Sequence, residues 1–384
     1  MSLAPTPLHA RPSHPVLRFP DPVPSLSASV IVPAKDEAEA LPALVAALDA
    51  QRSLTGAPLG DDVEVLLLLN NCRDGSERVA RRLARWTPGL RLHVACVELH
   101  GDTAHVGTAR AALMDAACER LLALGRPDGL ILSTDADSRP APDWIAQTRR
   151  EVARGADAVG GRARLDAAER AALPAHVRAH YLRDLGYRRA IERLRALYAP
   201  DPHDPYPRHH QHYGASLAVT AAAYARAGGM PPDRSSEDVA LVHALLRTGA
   251  RLRHSDRVRV VTSARKRGRA AGGLADAFAF WDGTPRPCRV ETATDAERRL
   301  ARLGAQRLRE PHRAPDFSLL TTPDLATGDP GQCIVGATHD LRARAEQLER
   351  MTLSARLDAA GVLSHHVPTR TLAPEPTSHA ALAA

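Results

Sequence analysis

Two aspartates one residue apart, Asp135 and Asp137, interrupt the stretch ILSTDADSRPAPDW that runs from Ile131 to Trp144. Asp is depleted from strands and common in turns, so an apolar run ending this way raises two readings. The pair caps a turn, or it holds a divalent metal against a phosphate. Open α/β sheets place ligands at the carboxyl ends of their strands, and hard cations take carboxylate oxygens there. D-x-D alone does not separate the two readings, so the surrounding elements must.

Those elements alternate. Val30–Val32 is a β-branched run stopped by Pro33, and Leu41, Leu44, Val45 and Leu48 follow at helical spacing. VEVLLLLNNCRDGS is a continuous apolar run that suits a strand buried on both faces, and SERVARRLARW returns to helical spacing. LRLHVACVEL reads as a third strand, TARAALMDAACERLLALG as a helix stopped at Gly125, and GLILSTDAD as a fourth strand. This order predicts an α/β fold of parallel βαβ units. It also gathers PAKDE, NNCRDGS, ELHGDTAHVG and TDADS along one edge.

The later segments are less regular. DAVGG is a short strand, residues 162–198 are helical in character, PDPHDPYPRHHQH is loop and YGASLAVT is a strand. Two helices flank a Gly-Gly-Met-Pro turn, and RVRVVTSARKRGR is a strand running into a basic loop. Helices are expected at 294–309 and 340–358. The first 27 residues hold seven prolines and read as an extended or disordered lead, and residues 361–384 read as a disordered tail.

Composition narrows the class. The 384 residues suffice for one large domain or two ordinary ones, with 44% hydrophobic and 25% charged residues in the globular range. The net charge of +7 fits an anionic ligand. Basic residues are scattered and aromatics are only 3%, which argues against nucleic-acid binding. Five cysteines without C-x-x-C spacing indicate a reduced, cytoplasmic protein. The start lacks an apolar signal segment, and no run approaches the length of a membrane span.

Taken in order, VIVPAKDE, LLNNCRDGS, TDADS, YGASLAVT, GGMPPDRSSED and TSARKRGR resemble the pattern of glycosyltransferase family 2 over roughly residues 28–275. The resemblance implies a GT-A fold, a Rossmann-like, mostly parallel sheet flanked by helices, in a domain spanning 28–280. Residues 28–140 would form its nucleotide-binding half and 141–280 its acceptor-side half, with a partly helical extension over 281–360. It implies transfer of a sugar from a nucleoside-diphosphate sugar to a hydroxyl acceptor, assisted by Mg²⁺ or Mn²⁺.

Residue by residue, the resemblance places the metal on Asp137, with Asp135 beside it orienting the ribose or a metal-bound water. The nucleotide-sugar loop falls on Pro33, Ala34, Asp36 and Glu37, and base reading on Asn70 and Asn71, where aspartates are usual. Arg110 is expected near the diphosphate or the sugar. Arg265 and Arg269 belong to a Gly-flanked basic loop suited to phosphate. Glu237 and Asp238 form the acceptor-side acidic pair, one of them the base in an inverting reaction. SSED is also a capping box with Ser235 as cap, where the helix dipole lowers the pKa of Asp238. His210, His212 and Gly214 are assigned to the acceptor side, and Ser263 stands where some relatives carry a metal-ligating His. A sugar-nucleotide pyrophosphorylase-like nucleotidyltransferase and an inert binding or scaffold subunit are the alternatives.

Overall fold

The computed structural model describes residues 14–231, 233–266, 268, 273–283, 289–323 and 331–362. Chain order opens with β1 (Ala28–Ala34), α1 (Leu41–Asp49), β2 (Val63–Asn70), α2 (Ser76–Trp86), β3 (Arg91–Val97), α3 (Val106–Ala123) and β4 (Leu130–Ser133). It continues with β5 (Ser138–Pro140), α4 (Trp144–Ala153), β6 (Ala158–Leu165), α5 (Ala167–Ala172) and α6 (Ala175–Tyr198). Next come β7 (Leu217–Thr220), α7 (Ala221–Arg226), α8 (Glu237–Arg247), β8 (Leu252–Thr262) and α9 (Leu274–Gly283). The last described elements are β9 (Arg289–Val290), α10 (Ala293–Arg309), α11 (Phe317–Leu320), β10 (Gln332–Cys333), α12 (Ile334–Leu348) and α13 (Leu353–Ala359).

Eight strands form one mixed sheet in the order β3-β2-β1-β4-β7-β6-β8-β5. The β3-β2-β1-β4 half is parallel, as the alternation predicts, and β7 enters antiparallel to both β4 and β6. Side chains alternate across it. Ile31, Leu66, Leu68 and Ile131 pack with α3, α7 and α8 on one face, while Val30, Val32, Val65 and Leu67 pack with α1 and α4 on the other. That double burial explains the unbroken apolar run of β2. Pro33 does not end β1 as expected. The β1–β4 ladder stops at Ile31, so a residue without an N–H falls beyond the pairing on that side.

Three boundaries differ from the sequence reading. YGASLAVT is strand only from Leu217, since Gly214–Ser216 form a short helical turn before β7. Arg162–Leu165 are strand, because β6 resumes pairing with β8 after a register shift at Gly161/Arg162. Between 340 and 358 there are two helices, α12 and α13, separated after Leu348. Residues 14–27 lack regular structure but lie along the core, with Leu17, Phe19 and Val23 packed against it and Leu26 fully buried. Tyr187, Ile191 and Leu194 of α6 pack with α10, α12 and α13 in a separate helical cluster. The expected tail, from residue 363, lies outside the described residues. Among the described residues no helix is long and apolar enough to cross a membrane, and Cys72, Cys96, Cys118 and Cys333 are free thiols.

Candidate active site

A cleft of about 530 Å³ opens along the carboxyl ends of the parallel strands, the edge where the sequence gathers its polar loops. Pro33, Ala34, Glu37 and Asn70 line it from the ends of β1 and β2, and Asp135 and Asp137 from the turn between β4 and β5. Gly214, Glu237, Asp238 and Arg265 face the same space from the acceptor-side half.

Charge in the floor is concentrated and paired. Glu37 is 6% exposed and takes a two-pronged hydrogen bond from Arg265, at 2.8 and 2.6 Å. The same guanidinium lies 3.0 Å from Asp137 Oδ2, and Thr262 donates to Asp137 Oδ1 at 3.4 Å. Burial, with Asp135 and Glu37 adding their charge, still pushes the Asp137 carboxyl up to about 6 against the pull of Arg265. Glu37, Asp135, Asp137 and Glu237 share two guanidinia, Arg265 and Arg110, so carboxylates outnumber these partners, and the surplus of negative charge is the chemistry a divalent cation would satisfy. Among the described residues no three His, Cys, Asp or Glu side chains gather closely enough to hold a metal alone. Asp135 and Asp137 therefore fit a cation whose remaining ligands come from phosphate or water.

Arg110 joins the two halves. It is 4% exposed and donates from Nε to Glu237 (3.0 Å) and from its terminal nitrogens to Asp135 (2.8 Å), Ser133 Oγ (2.6 Å) and the Gly214 carbonyl (3.2 Å). Burial opposes its charge, but Asp135 and Glu237 outweigh that and raise its pKa. A Cβ on Gly214 would stand 2.5–2.8 Å from the guanidinium, so only glycine lets the loop close over it. Arg110 lines the cleft as expected, with four hydrogen bonds already made to protein oxygens.

The start of α8 departs from the expected capping box. Ser236, not Ser235, holds the cap position; its φ is +60°, and it makes no side-chain bond to the helix. Asp238 instead accepts from the Gly214 N–H at 2.8 Å and from the Val239 N–H at 2.8 Å. The expected lowering of its pKa does not prevail. Burial and the adjacent Glu237 push the Asp238 carboxyl up, past the opposing pull of the two amides and Arg110.

Other sequence candidates divide. Asn71 does not line the cleft; its amide donates to the Leu99 carbonyl (2.9 Å) and accepts from the Leu99 N–H (3.2 Å), fixing the loop after β3. Asp36, at φ +54°, accepts from the Arg73 N–H at 2.7 Å and likewise ties loops together outside the lining. His210 lines the cleft, whereas His212 is turned towards His254 at 3.2 Å, and His254 is bonded to Asp204 at 2.8 Å. Ser263 lines the cleft and donates to Glu169 at 2.7 Å. Arg269 lies outside the described residues. The sequence reading missed Tyr181, Asp184, Arg188, Tyr213 and Trp281, which all line the cleft. Lys35, inside the PAKDE loop that the sequence places on this edge, lines the cleft as well.

Residues 29–205 match the family model for glycosyl transferase family 2, which bears out the resemblance over that segment. The mannosyltransferase PcManGT from Pyrobaculum calidifontis, solved with GDP-Man and Mn²⁺, is similar at 20% identity, over 91% of this chain and 79% of that one, with a TM-score of 0.45. TarS 1–349 from S. aureus, solved with UDP, is similar at 14% identity, over 73% and 66% of the two chains, with a TM-score of 0.41. Glucosyl-3-phosphoglycerate synthase from Mycobacterium tuberculosis, also with UDP, is similar at 16% identity, over 70% and 84%, with a TM-score of 0.36. Among curated proteins there is no match.

Proposed function

We propose that this chain is a glycosyltransferase that moves a sugar from a nucleoside-diphosphate sugar to a hydroxyl acceptor with inversion, a reading supported by the match of residues 29–205 to glycosyl transferase family 2. One observation carries the reading. Asp238 is held by the Gly214 N–H in the same cleft as Asp135 and Asp137, and Arg110 spans the two acidic groups. An inverting transfer needs a base and a site for the leaving phosphates within reach of one sugar carbon.

Asp238 is the base in this reading. Glu237 spends Oε1 on Arg110, whereas burial brings the Asp238 carboxyl nearer to the working pH, where a base is most effective. As the acceptor hydroxyl attacks the anomeric carbon, its proton passes to Asp238 and the bond from that carbon to the phosphate oxygen breaks. Glu237 and Arg110 keep Asp238 and Asp135 in register. Pro33, Ala34, Lys35 and Asn70 contact the nucleotide, while Asp36 and Asn71 act by shaping its loops. Arg265 shares its guanidinium between Glu37 and the diphosphate. Asp137, with Asp135, would hold Mg²⁺ or Mn²⁺, which when bound neutralises charge on the departing diphosphate.

Two substitutions test this together. Titration with UDP and GDP, with and without Mn²⁺, should show metal-enhanced binding of at least one in the wild type and none in Asp137→Ala. Asp238→Asn should bind that nucleotide normally yet lose roughly 10²-fold or more in sugar transfer. Equal turnover in Asp238→Asn and wild type would reduce Asp238 to a loop anchor, and nucleotide binding indifferent to Mn²⁺ would refute the metal role.

A further inference from the structure

The acceptor-side wall of the cleft has a composition of its own. The chain contains only four Phe, three Trp and six Tyr among 384 residues. Three of these, Tyr181, Tyr213 and Trp281, line the cleft, all on this wall, while the walls from β1, β2 and the β4–β5 turn supply none. Leu165, Leu185 and Leu274 line the same side. The surface is built rather than incidental. Tyr181 packs edge-on against the buried Phe278 at 6.2 Å between ring centroids, and His180 stacks on the Trp281 indole at 4.5 Å. Tyr213 stands edge-on to His210 at 6.3 Å and is 42% exposed, one residue before the Gly214 amide that holds Asp238.

Charge on this wall is balanced. Asp184 and Arg188, one turn apart on α6, are bonded at 2.8 Å. Burial and the neighbouring Arg188 hold the His210 imidazole down at about 3, so it is neutral at physiological pH. Arg188 and Arg265 are the described cations that reach the cleft from this half, and each already has carboxylate partners, Asp184 for Arg188 and Glu37 and Asp137 for Arg265. A phosphate or carboxylate on the acceptor would meet those carboxylates as well. A neutral ring loses nothing there: its faces lie on the aromatic and leucine side chains, and its hydroxyls meet an ion pair that offers both donors and acceptors.

Resting on the transferase reading above, we propose that the acceptor is an uncharged ring alcohol, a saccharide or an aryl alcohol, bound against Tyr181, Tyr213 and Trp281. The Asp184–Arg188 pair orients it so that one hydroxyl reaches Asp238.

Saturation-transfer NMR on the full chain, holding whichever of UDP or GDP binds, tests this with four probes. Methyl β-glucopyranoside and benzyl alcohol represent the two ring sources, glycerol a neutral open chain, and glycerol 3-phosphate an anionic acceptor. At least one ring should take up saturation, strongest at its C–H protons and several-fold above both glycerols. The stronger of the two rings identifies the source. Trp281→Ala should cut that signal at least fivefold, and Trp281→Phe should keep about half of it, while nucleotide affinity stays within twofold in both. Glycerol 3-phosphate matching or exceeding the rings would overturn the proposal. So would absence of any ring signal in the wild type, or a ring signal unchanged in Trp281→Ala. Nucleotide binding reports separately: its absence from the wild type would refute the donor reading, whatever the rings do.

Discussion

Replacing Arg110 with methionine removes a buried cation that two carboxylates share, and the cost follows from which of them is stranded. The side chains of Arg110 and Glu237 are 5% and 7% exposed, while Asp135 at 36% can recover solvation. Glu237 therefore dominates. Removing one partner of a buried pair costs about 3–5 kcal/mol, because the remaining charge stays in a poorly solvating site. Ser133 Oγ and the Gly214 carbonyl also lose a donor, but Ser133 still donates to Gly214 at 2.8 Å, so these losses overlap and do not add. Urea unfolding at pH 7.5 should thus place Arg110→Met about 4 kcal/mol below wild type. The double variant Arg110→Met with Glu237→Met should recover most of that loss, since no buried charge is left unpaired. Arg110→Lys should fall between, keeping the charge but not the fork that reaches four oxygens. A loss under about 1 kcal/mol in Arg110→Met, or a double variant no more stable than the single, would refute the claim that Arg110 compensates Glu237.

Gly214→Ala places a Cβ 2.5 Å from the Arg110 guanidinium carbon, and the guanidinium is anchored on both sides. Overpacking of this kind should cost about 1–3 kcal/mol and shift the amide that holds Asp238, so turnover should fall more than tenfold while nucleotide affinity changes little; a wild-type rate in Gly214→Ala would sink the coupling. His209 is 8% exposed, its Nδ1 accepts from the Gln211 N–H at 3.1 Å, and burial, followed by His254, holds its imidazole down at about 4. Its unfolded value is near 6.5, so the unfolded chain binds the proton first and stability falls as pH drops from about 6.5 towards 4, by about 3 kcal/mol. His209→Gln should flatten that part of the profile, and parallel unfolding curves for the two proteins would show that His209 does not carry it.

What could be read in the sequence, and what could not, divides by the range of the interaction concerned. The β2 run and the helical spacing of α1 are decided by neighbours within one element, and both elements appear where the pattern puts them. Asp135, Asp137, Glu237 and Asp238 were legible as acidic residues at a strand end and a helix start, and the cleft brings all four together. Asn71 shows the limit: its residue type suits recognition of a base edge, yet both functions of its amide are used by Leu99, 28 positions along. Nothing local marks that, and nothing local marks Tyr181 or Trp281 as lining residues, since an aromatic on a helix is equally suited to a core. The same limit explains the reversed expectation for Asp238. A helix dipole can be inferred from position alone, but the burial and the Glu237 charge that outweigh it arise only when α8 packs against the Gly214 loop and Arg110. Arg110 reaches Gly214 across 104 positions and Glu237 across 127. The electrostatics of the site therefore belong to neither half of the sheet, and a change in either half that moves this one guanidinium should be felt by the acidic residues of both.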